Sequence, residues 1–215
     1  MFSKIFPKIH AEGYKFLVIA GIITIVFYSL SNFLGLIGLV LTVWVYYFFR
    51  DPERVIIDDD NFLVSPADGE VIKVEEVNGP KELNLENKKF QKISIFMNVF
   101  DCHVNRIPCE GKIEEILYKP GKFFNASLDK ASEDNERNYY KIKDNQNNDI
   151  VLVQIAGLVA RRIVCETSKD QELKQGDRVG MIRFGSRADI YYENYQPLVK
   201  VGQRAISGET LLAKK

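Results

Sequence analysis

The sequence lacks an excess of charge of either sign, because 29 lysine and arginine residues balance 29 aspartate and glutamate residues. No overall field therefore favours binding to nucleic acid or to another polyanion. Cysteine is also scarce, and Cys102, Cys109 and Cys165 include no closely spaced pair. This spacing argues against a zinc knuckle and a disulfide scaffold, and it suits a reducing compartment. We interpret all three as buried or half-buried thiols, and we expect no metal and no nucleic-acid partner.

Histidine is nearly absent as well, with only His10 and His103 in the chain. His10 lies in a basic N-terminal segment, and we interpret it as a surface residue. His103 follows a strand-like apolar run and has Asp101, Asn105 and Arg106 as close neighbours in sequence. A lone histidine is more often structural, but these neighbours make a catalytic role about equally well supported. Strand alternation predicts that Asp101, His103 and Asn105 share one face.

One hydrophobic run is long, since residues 16–49 contain no charged residue. A helix needs about 20 apolar residues to cross the bilayer core, and the run is too long for a cleavable signal peptide. The polar, glycine-containing patch at residues 31–35 predicts a turn between two closely spaced helices. A thin span or a re-entrant hairpin also fits this length.

Basic residues lie on both sides of this run, which predicts that both of its ends face the cytoplasm. The hairpin would then hold the rest of the chain at the cytoplasmic face of the cell membrane. The basic residues are Lys4, Lys8, Lys15, Arg50 and Arg54.

From residue 51 onward, short runs of valine and isoleucine alternate with polar residues and are separated by turn residues, as in KISIFMNV and DIVLVQIAG. This pattern predicts a mainly β fold, a barrel or sandwich. SPADGEVIKV and VKVGQRAISGETLL resemble the strand-turn pieces of lipoyl and biotinyl carrier folds. We therefore predict an N-terminal membrane hairpin at residues 1–50 and a β-rich domain at residues 51–215.

Three polar features invite a functional interpretation besides a structural one. Asp68 lies in PADG, which on its own is a good tight-turn sequence. Arg161 and Arg162 follow an apolar run, and they are either solvated strand-end residues or an anion clamp. The adjacent Gly185 and Ser186 are, on their own, most simply a turn.

Taken together, these segments resemble the phosphatidylserine decarboxylase family, in its short, membrane-anchored form. The resemblance covers nearly all of the chain, in order. It is carried by FFRDPER (48–54), SPADGEV (65–71), FMNVFDCHVNRIP (96–108), GKFFNASLDKASEDNERN (121–138), QIAGLVARRI (154–163) and GMIRFGSR (180–187).

The resemblance implies that the chain cuts itself before Ser186 into residues 1–185 and 186–215, which stay together as a heterodimer. Ser186 would become a pyruvoyl group, the covalent cofactor, and form a Schiff base with the amine of phosphatidylserine. Loss of carbon dioxide would then give phosphatidylethanolamine. Glycine at residue 185 suits a strained, crowded cleavage point.

The resemblance also implies roles for single residues. Asp68 matches an aspartate that supports self-cleavage, and His103 matches a histidine that we expect to protonate the substrate. Long-form relatives place a second histidine where this chain has Arg106, which leaves the base for cleavage unidentified. They also carry Thr or Ser where this chain has Arg187, which would bind substrate or form an ion pair with Asp189 or Glu193.

The candidate substrate contacts are therefore Arg106, Arg161, Arg162 and Arg187. Two alternatives differ in class from this phospholipid decarboxylase. One is a membrane-tethered β-barrel binding module without catalysis, and the other is a pyruvoyl decarboxylase of another amine. A homo-oligomer is compatible with each of them.

Overall fold

A computed structural model describes residues 6–127, 134–157, 162–183 and 186–215. The chain divides into two compact units, Met1–Glu53 and Arg54–Lys215. The sequence predicts a boundary after residue 50. The first unit is mainly helical and the second is mainly built from strands.

The first unit is a pair of apolar helices. Its elements are β1 (Lys8–Ile9), a 3-10 helix (Ala11–Gly13), α1 (Tyr14–Leu30), α2 (Asn32–Phe48) and β2 (Arg50–Asp51). The helices run antiparallel, and Thr24 Oγ1 of α1 lies 2.9 Å from Thr42 Oγ1 of α2. A side chain at Gly38 would collide with the backbone of Thr24, so a glycine there permits the close approach of the helices.

The turn between the helices is shorter than the sequence predicts. Only Ser31 separates them, in an extended conformation (φ −168°, ψ 140°), and the patch from Asn32 to Gly35 is already helical. The Ser31 hydroxyl accepts a hydrogen bond from Phe33 N at 3.2 Å. Because Ser31 caps the N-terminus of α2 in this way, a single residue is enough to reverse the chain.

Among the described residues, one helix is long and apolar enough to cross a membrane, namely Ala11–Leu30, and α2 is a shorter apolar helix. The large apolar side chains of both helices are widely exposed. His10 precedes them and is buried, contrary to the expectation of a surface residue. Its Nδ1 accepts a hydrogen bond from Glu12 N at 3.3 Å, so it serves as the N-cap of the 3-10 helix.

The second unit is mainly β, which confirms the predicted fold class, an N-terminal helical hairpin followed by a β-rich domain. A short 3-10 helix at Lys81–Leu83 is also present. The strands are β3 (Phe62–Val64), β4 (Gly69–Asn78), β5 (Lys89–Met97), β6 (Val104–Arg106), β7 (Gly111–Lys119), β8 (Arg137–Asp144), β9 (Asp149–Ala156), β10 (Ile163–Cys165), β11 (Glu172–Leu173), β12 (Arg178–Ile182), β13 (Ser186–Tyr192), β14 (Gln196–Pro197), β15 (Arg204–Ala205) and β16 (Leu211–Lys214).

These strands form antiparallel sheets. The largest described sheet has eight strands in the order β11-β7-β8-β9-β13-β5-β4-β15. Two three-stranded sheets have the orders β10-β12-β6 and β14-β16-β3. The strand β13 therefore lies in the interior of the large sheet, between β9 and β5.

The large sheet is buried on both faces near β9 and β13. Ile150, Leu152 and Ala156 face the main core, whereas Val151, Val153 and Ile155 pack in a second cluster on the other face. Strand residues alternate between faces, so Ser186 shares the face of Ala188 in the main core. The continuous apolar run in β9 follows from this double burial.

The cysteines partly contradict the sequence interpretation. Cys102 and Cys109 are buried, but Cys165 is exposed. Burial raises the pKa of the Cys109 thiol, so that group behaves as a small apolar side chain. Cys165 ends the three-residue strand β10, and so short an edge strand leaves its last side chain at the surface.

Candidate active site

Ser186 is the first residue of β13 and is completely buried. It lies opposite Met97 of β5 on one side and Ala156 of β9 on the other. Its hydroxyl is 3.7 Å from the thioether sulfur of Met97. Both ladder neighbours of Ser186 are uncharged. Gly185, the other half of the predicted cleavage site, lies outside the described residues.

Asp68 is brought to the same end of the sheet by the register of the strands. Glu70 of β4 pairs with Phe96 of β5, so the next step of the antiparallel ladder brings Gly69 to Met97. A side chain at Gly69 would collide with the Phe96 carbonyl oxygen, which explains the glycine. Met97 therefore lies between Gly69 of β4 and Ser186 of β13. The start of β4 is two strand spacings, about 10 Å, from Ser186.

The Asp68 carboxylate is held by two partners and is almost completely buried. Arg54 Nη2 donates to both of its oxygens, at 2.9 and 2.7 Å. Ser207 N donates to Oδ1 at 2.8 Å, and the Ser207 hydroxyl donates to Pro66 O at 3.1 Å. The segment around Asp68 is a tight bend, as its composition predicts, but its carboxylate is also fixed in one orientation.

His103 is completely buried and lies in the connection between β5 and β6. Its Nδ1 is 3.0 Å from the backbone oxygen of Asp101. A carbonyl oxygen only accepts hydrogen bonds, so Nδ1 carries a proton and donates it. In the neutral ring, Nε2 is then the nitrogen that accepts a proton.

The sequence predicts that Asp101, His103 and Asn105 share one face of a strand, but these three residues do not lie in a single strand. The strand β5 ends at Met97, and residues 98–101 form a turn in which Asn98 N donates to Asp101 Oδ2 at 2.9 Å. The Asp101 carboxylate is bound by Arg204 at 2.5 Å. The run FMNVFDCHVNR is therefore two strands joined by a turn, because Asn98 and Asp101 favour turns over strands.

Two of the candidate arginines, Arg106 and Arg187, bind other groups of the protein. Arg106 is buried and donates to Gly176 O at 2.8 Å. Arg187 is completely buried, and it binds both oxygens of Asp189, at 2.6 and 2.9 Å, through Nε and Nη2. Arg187 therefore forms the ion pair with Asp189, which was one of the two roles expected from the sequence, the other being a contact to substrate. Arg162 is exposed, and Arg161 lies outside the described residues.

Several buried polar residues near Ser186 were not assigned a role from the sequence. Asn105 Oδ1 accepts a hydrogen bond from Gln154 Nε2 at 2.9 Å, and Gln154 Oε1 accepts one from the Tyr140 hydroxyl at 2.7 Å. Asn135 Nδ2 donates to Ala156 O at 2.7 Å, next to Ser186 in the ladder. Gln154 could have been identified from the sequence, because it is a polar residue at a core-facing position of an otherwise apolar strand.

The described part of the chain contains no group of three or more His, Cys, Asp or Glu side chains placed to hold a metal ion. The described residues include a buried hydroxyl, a fixed carboxylate, a histidine whose Nδ1 is bonded to a backbone oxygen, and two hydrogen-bonded amides. This set can supply a nucleophile, a proton carrier and hydrogen-bond donors.

Comparison with known proteins gives consistent matches. The sequence model of the family described as phosphatidylserine decarboxylase matches residues 41–213. A phosphatidylserine decarboxylase proenzyme of Pelagibacter ubique is 76% identical over 100% of both chains. The proenzyme of Ruegeria pomeroyi is 54% identical over 95% of this chain and 94% of its own. That of Cereibacter sphaeroides is 50% identical over 99% of this chain and 92% of its own.

Proposed function

Since the chain belongs to the phosphatidylserine decarboxylase family, we propose that it is a proenzyme that cuts itself between Gly185 and Ser186. The product would be a pyruvoyl-dependent enzyme that converts phosphatidylserine to phosphatidylethanolamine. The observation that carries the proposal is the placement of Ser186. A hydroxyl at the buried start of an interior strand, at the same end of the sheet as Asp68, is an unusual place for a simple turn serine.

The cleavage uses the atoms of the chain itself. Ser186 Oγ bonds to the carbonyl carbon of Gly185, the peptide bond to Ser186 N breaks, and the hydroxyl proton passes to that nitrogen. Loss of the Ser186 α-proton then breaks the Cβ–Oγ bond, and Gly185 leaves as a carboxylate. Addition of water to the resulting double-bonded residue releases ammonia and leaves a carbonyl at residue 186.

The residues around Ser186 fit such a group. The new group is close in size to serine, and its neighbours Met97 and Ala156 are uncharged. The pyruvoyl carbonyl supplies an electrophile for the substrate amine and an acceptor for the electrons released with carbon dioxide. Burial keeps this carbonyl away from bulk water.

Three side chains then have proposed roles of their own. Asp68, fixed by Arg54, holds the bend that precedes β4 and supports cleavage. His103, with Nδ1 bonded to Asp101 O, moves a proton at Nε2 to the substrate carbon that has lost carbon dioxide. Arg162 is exposed and suits a contact to the anionic headgroup, whereas Arg106 and Arg187 already bind Gly176 O and Asp189.

We also propose that the helical unit anchors the enzyme to the cytoplasmic face of the cell membrane. The span Ala11–Leu30 has 20 residues, which at 1.5 Å per residue corresponds to about 30 Å, the thickness of the bilayer core. The helix α2 has 17 residues and is shorter than this. A tight hairpin that enters and leaves on the same side fits both lengths.

Intact-mass spectrometry of the purified chain tests the proposal. The wild type should give fragments 1–185 and 186–215, the latter with a blocked N-terminus, and should release carbon dioxide from phosphatidylserine. Ser186→Ala should remain one chain without activity, because it has no hydroxyl to attack Gly185. Ser127→Ala, at an exposed serine, is the control and should behave as the wild type. Two fragments from Ser186→Ala would refute the proposal.

A further inference from the structure

A chain of buried polar side chains runs through the main core and ends beside Ser186. Tyr140, Gln154 and Asn105 are each completely buried. The Tyr140 hydroxyl lies 2.7 Å from Gln154 Oε1, and Gln154 Nε2 lies 2.9 Å from Asn105 Oδ1. Buried polar groups in a core of isoleucine and leucine are costly unless they are hydrogen-bonded, and these three side chains bond to one another in series.

The orientation of the Asn105 amide follows from its other neighbours. Its nitrogen lies 3.4 Å from the Pro66 carbonyl oxygen, which only accepts. The amide oxygen therefore faces Gln154, and the two N–H groups face Pro66 and Met97. Burial raises the pKa of the Tyr140 phenol well above its usual value, so this hydroxyl stays protonated and holds Gln154 in the matching orientation.

The Asn105 amide and the Ser186 hydroxyl contact the same atom. Asn105 Nδ2 is 3.6 Å and Ser186 Oγ is 3.7 Å from Met97 Sδ. A thioether is a weak acceptor, and methionine is the most adaptable of the apolar side chains. A change of the Met97 rotamer would remove the sulfur that both groups contact, and the oxygen of residue 186 is a stronger acceptor than a thioether.

We infer that the Asn105 side-chain amide is a catalytic hydrogen-bond donor to the oxygen of residue 186, and that Gln154 and Tyr140 position it. The inference rests on the proposed function, since it gives this amide a part in the same self-cleavage. In the precursor the donor stabilises negative charge on Oγ as its proton leaves. After cleavage Oγ has left with Gly185, and the same amide would be available to donate to the carbonyl oxygen that water supplies at this residue.

The rate of self-cleavage, followed by intact mass after synthesis of the full chain, measures this role without any substrate. Asn105→Leu keeps the shape of the side chain and removes the donor, and cleavage should slow by on the order of 10²-fold. The matched control is Asn148→Leu, which removes a buried amide at the opposite end of β9, where Asn148 Nδ2 donates to Asp144 at 2.8 Å. The control should cleave at the wild-type rate.

Tyr140→Phe separates positioning from packing. It removes only the hydroxyl, and cleavage should slow roughly 2- to 10-fold, as expected for one neutral hydrogen bond. The effect should vanish when Tyr140→Phe is added to Asn105→Leu, because Tyr140 acts through Asn105. A purely structural role would give additive effects instead.

The outcomes distinguish this inference from the proposed function. If the wild type is cut while Asn105→Leu is cut at the same rate, or is slowed no more than Asn148→Leu, the inference is wrong and the proposed function stands. If the wild type itself is never cut, the proposed function is wrong. If Asn105→Leu does not fold, Asn105→Ala takes its place. Additive effects of Asn105→Ala and Tyr140→Phe on the cleavage rate would then equally overturn the inference.

Discussion

The pair of Arg54 and Asp68 offers a quantitative test of how the site is held. The Arg54 and Asp68 side chains are only 13% and 11% exposed, and Nη2 lies 2.7 Å from Oδ2. Removal of one partner of a buried pair leaves the other charge without compensation, which costs about 3–5 kcal/mol. Ser207 N still binds Asp68 in Arg54→Met, so we expect a loss near the lower end, about 3 kcal/mol. In a domain of this size that lowers Tm by roughly 6–12 °C.

The assay is thermal unfolding of the full chain in detergent, in a Ser186→Ala background so that every variant is uncut. The double variant Arg54→Met with Asp68→Asn should recover a large part of the loss, because it leaves no unpaired charge. Lys112→Met is the control, since Lys112 and Asp170 form an exposed pair with the same 2.7 Å distance, and it should leave Tm unchanged. A small shift for Arg54→Met, or losses that add in the double variant, would refute this reasoning.

Three further predictions follow from the same contacts. His103→Ala should be cut at least in part but release carbon dioxide on the order of 10²-fold more slowly; full activity would mean that His103 is structural. Without residues 1–53 the protein should no longer sediment with membranes in high salt, which weakens electrostatic binding to lipid. Burial raises the pKa of Asp149, but hydrogen bonds from Lys143 and Lys88 outweigh it and hold this pKa below its usual value. The unfolded state therefore binds more protons than the folded state at about pH 4. The contribution of Asp149 to the free energy of unfolding is present above about pH 4 and lost below it. In acid unfolding, Asp149→Asn should lose stability less steeply than the wild type as the pH falls.

The parts of the fold that were predictable are those set by periodicity and length. Residues 16–49 are too apolar for anything other than buried or membrane-facing helices, and two helices are present. The alternation of valine and isoleucine with polar residues correctly indicated strands. Gly185 and Ser186 stood out only because the surrounding segments resemble a known family, since a Gly-Ser pair alone is ordinary turn sequence.

The errors come from single contacts that no periodicity encodes. His10 was interpreted as exposed because its sequence neighbours are basic, but its ring accepts a backbone hydrogen bond and is buried. The strand predicted through Asp101 is interrupted by a turn, in which Asn98 N donates a hydrogen bond to Asp101 Oδ2. For Arg187 the sequence left two alternatives, and the described side chain forms the ion pair with Asp189, two residues along the same face of one strand.

The topology also explains how the site would survive its own cleavage. A cut before Ser186 would leave β13, β14, β15 and β16 in the small fragment, with β13 between β9 and β5 and β16 paired to β3 of the large one. The small fragment would therefore be held in two separate sheets. Its Ser207 N binds Asp68 and its Arg204 binds Asp101, whose backbone oxygen in turn accepts from His103. The two fragments would thus position each other, because the large one supplies the candidate acid–base groups and the small one orients them.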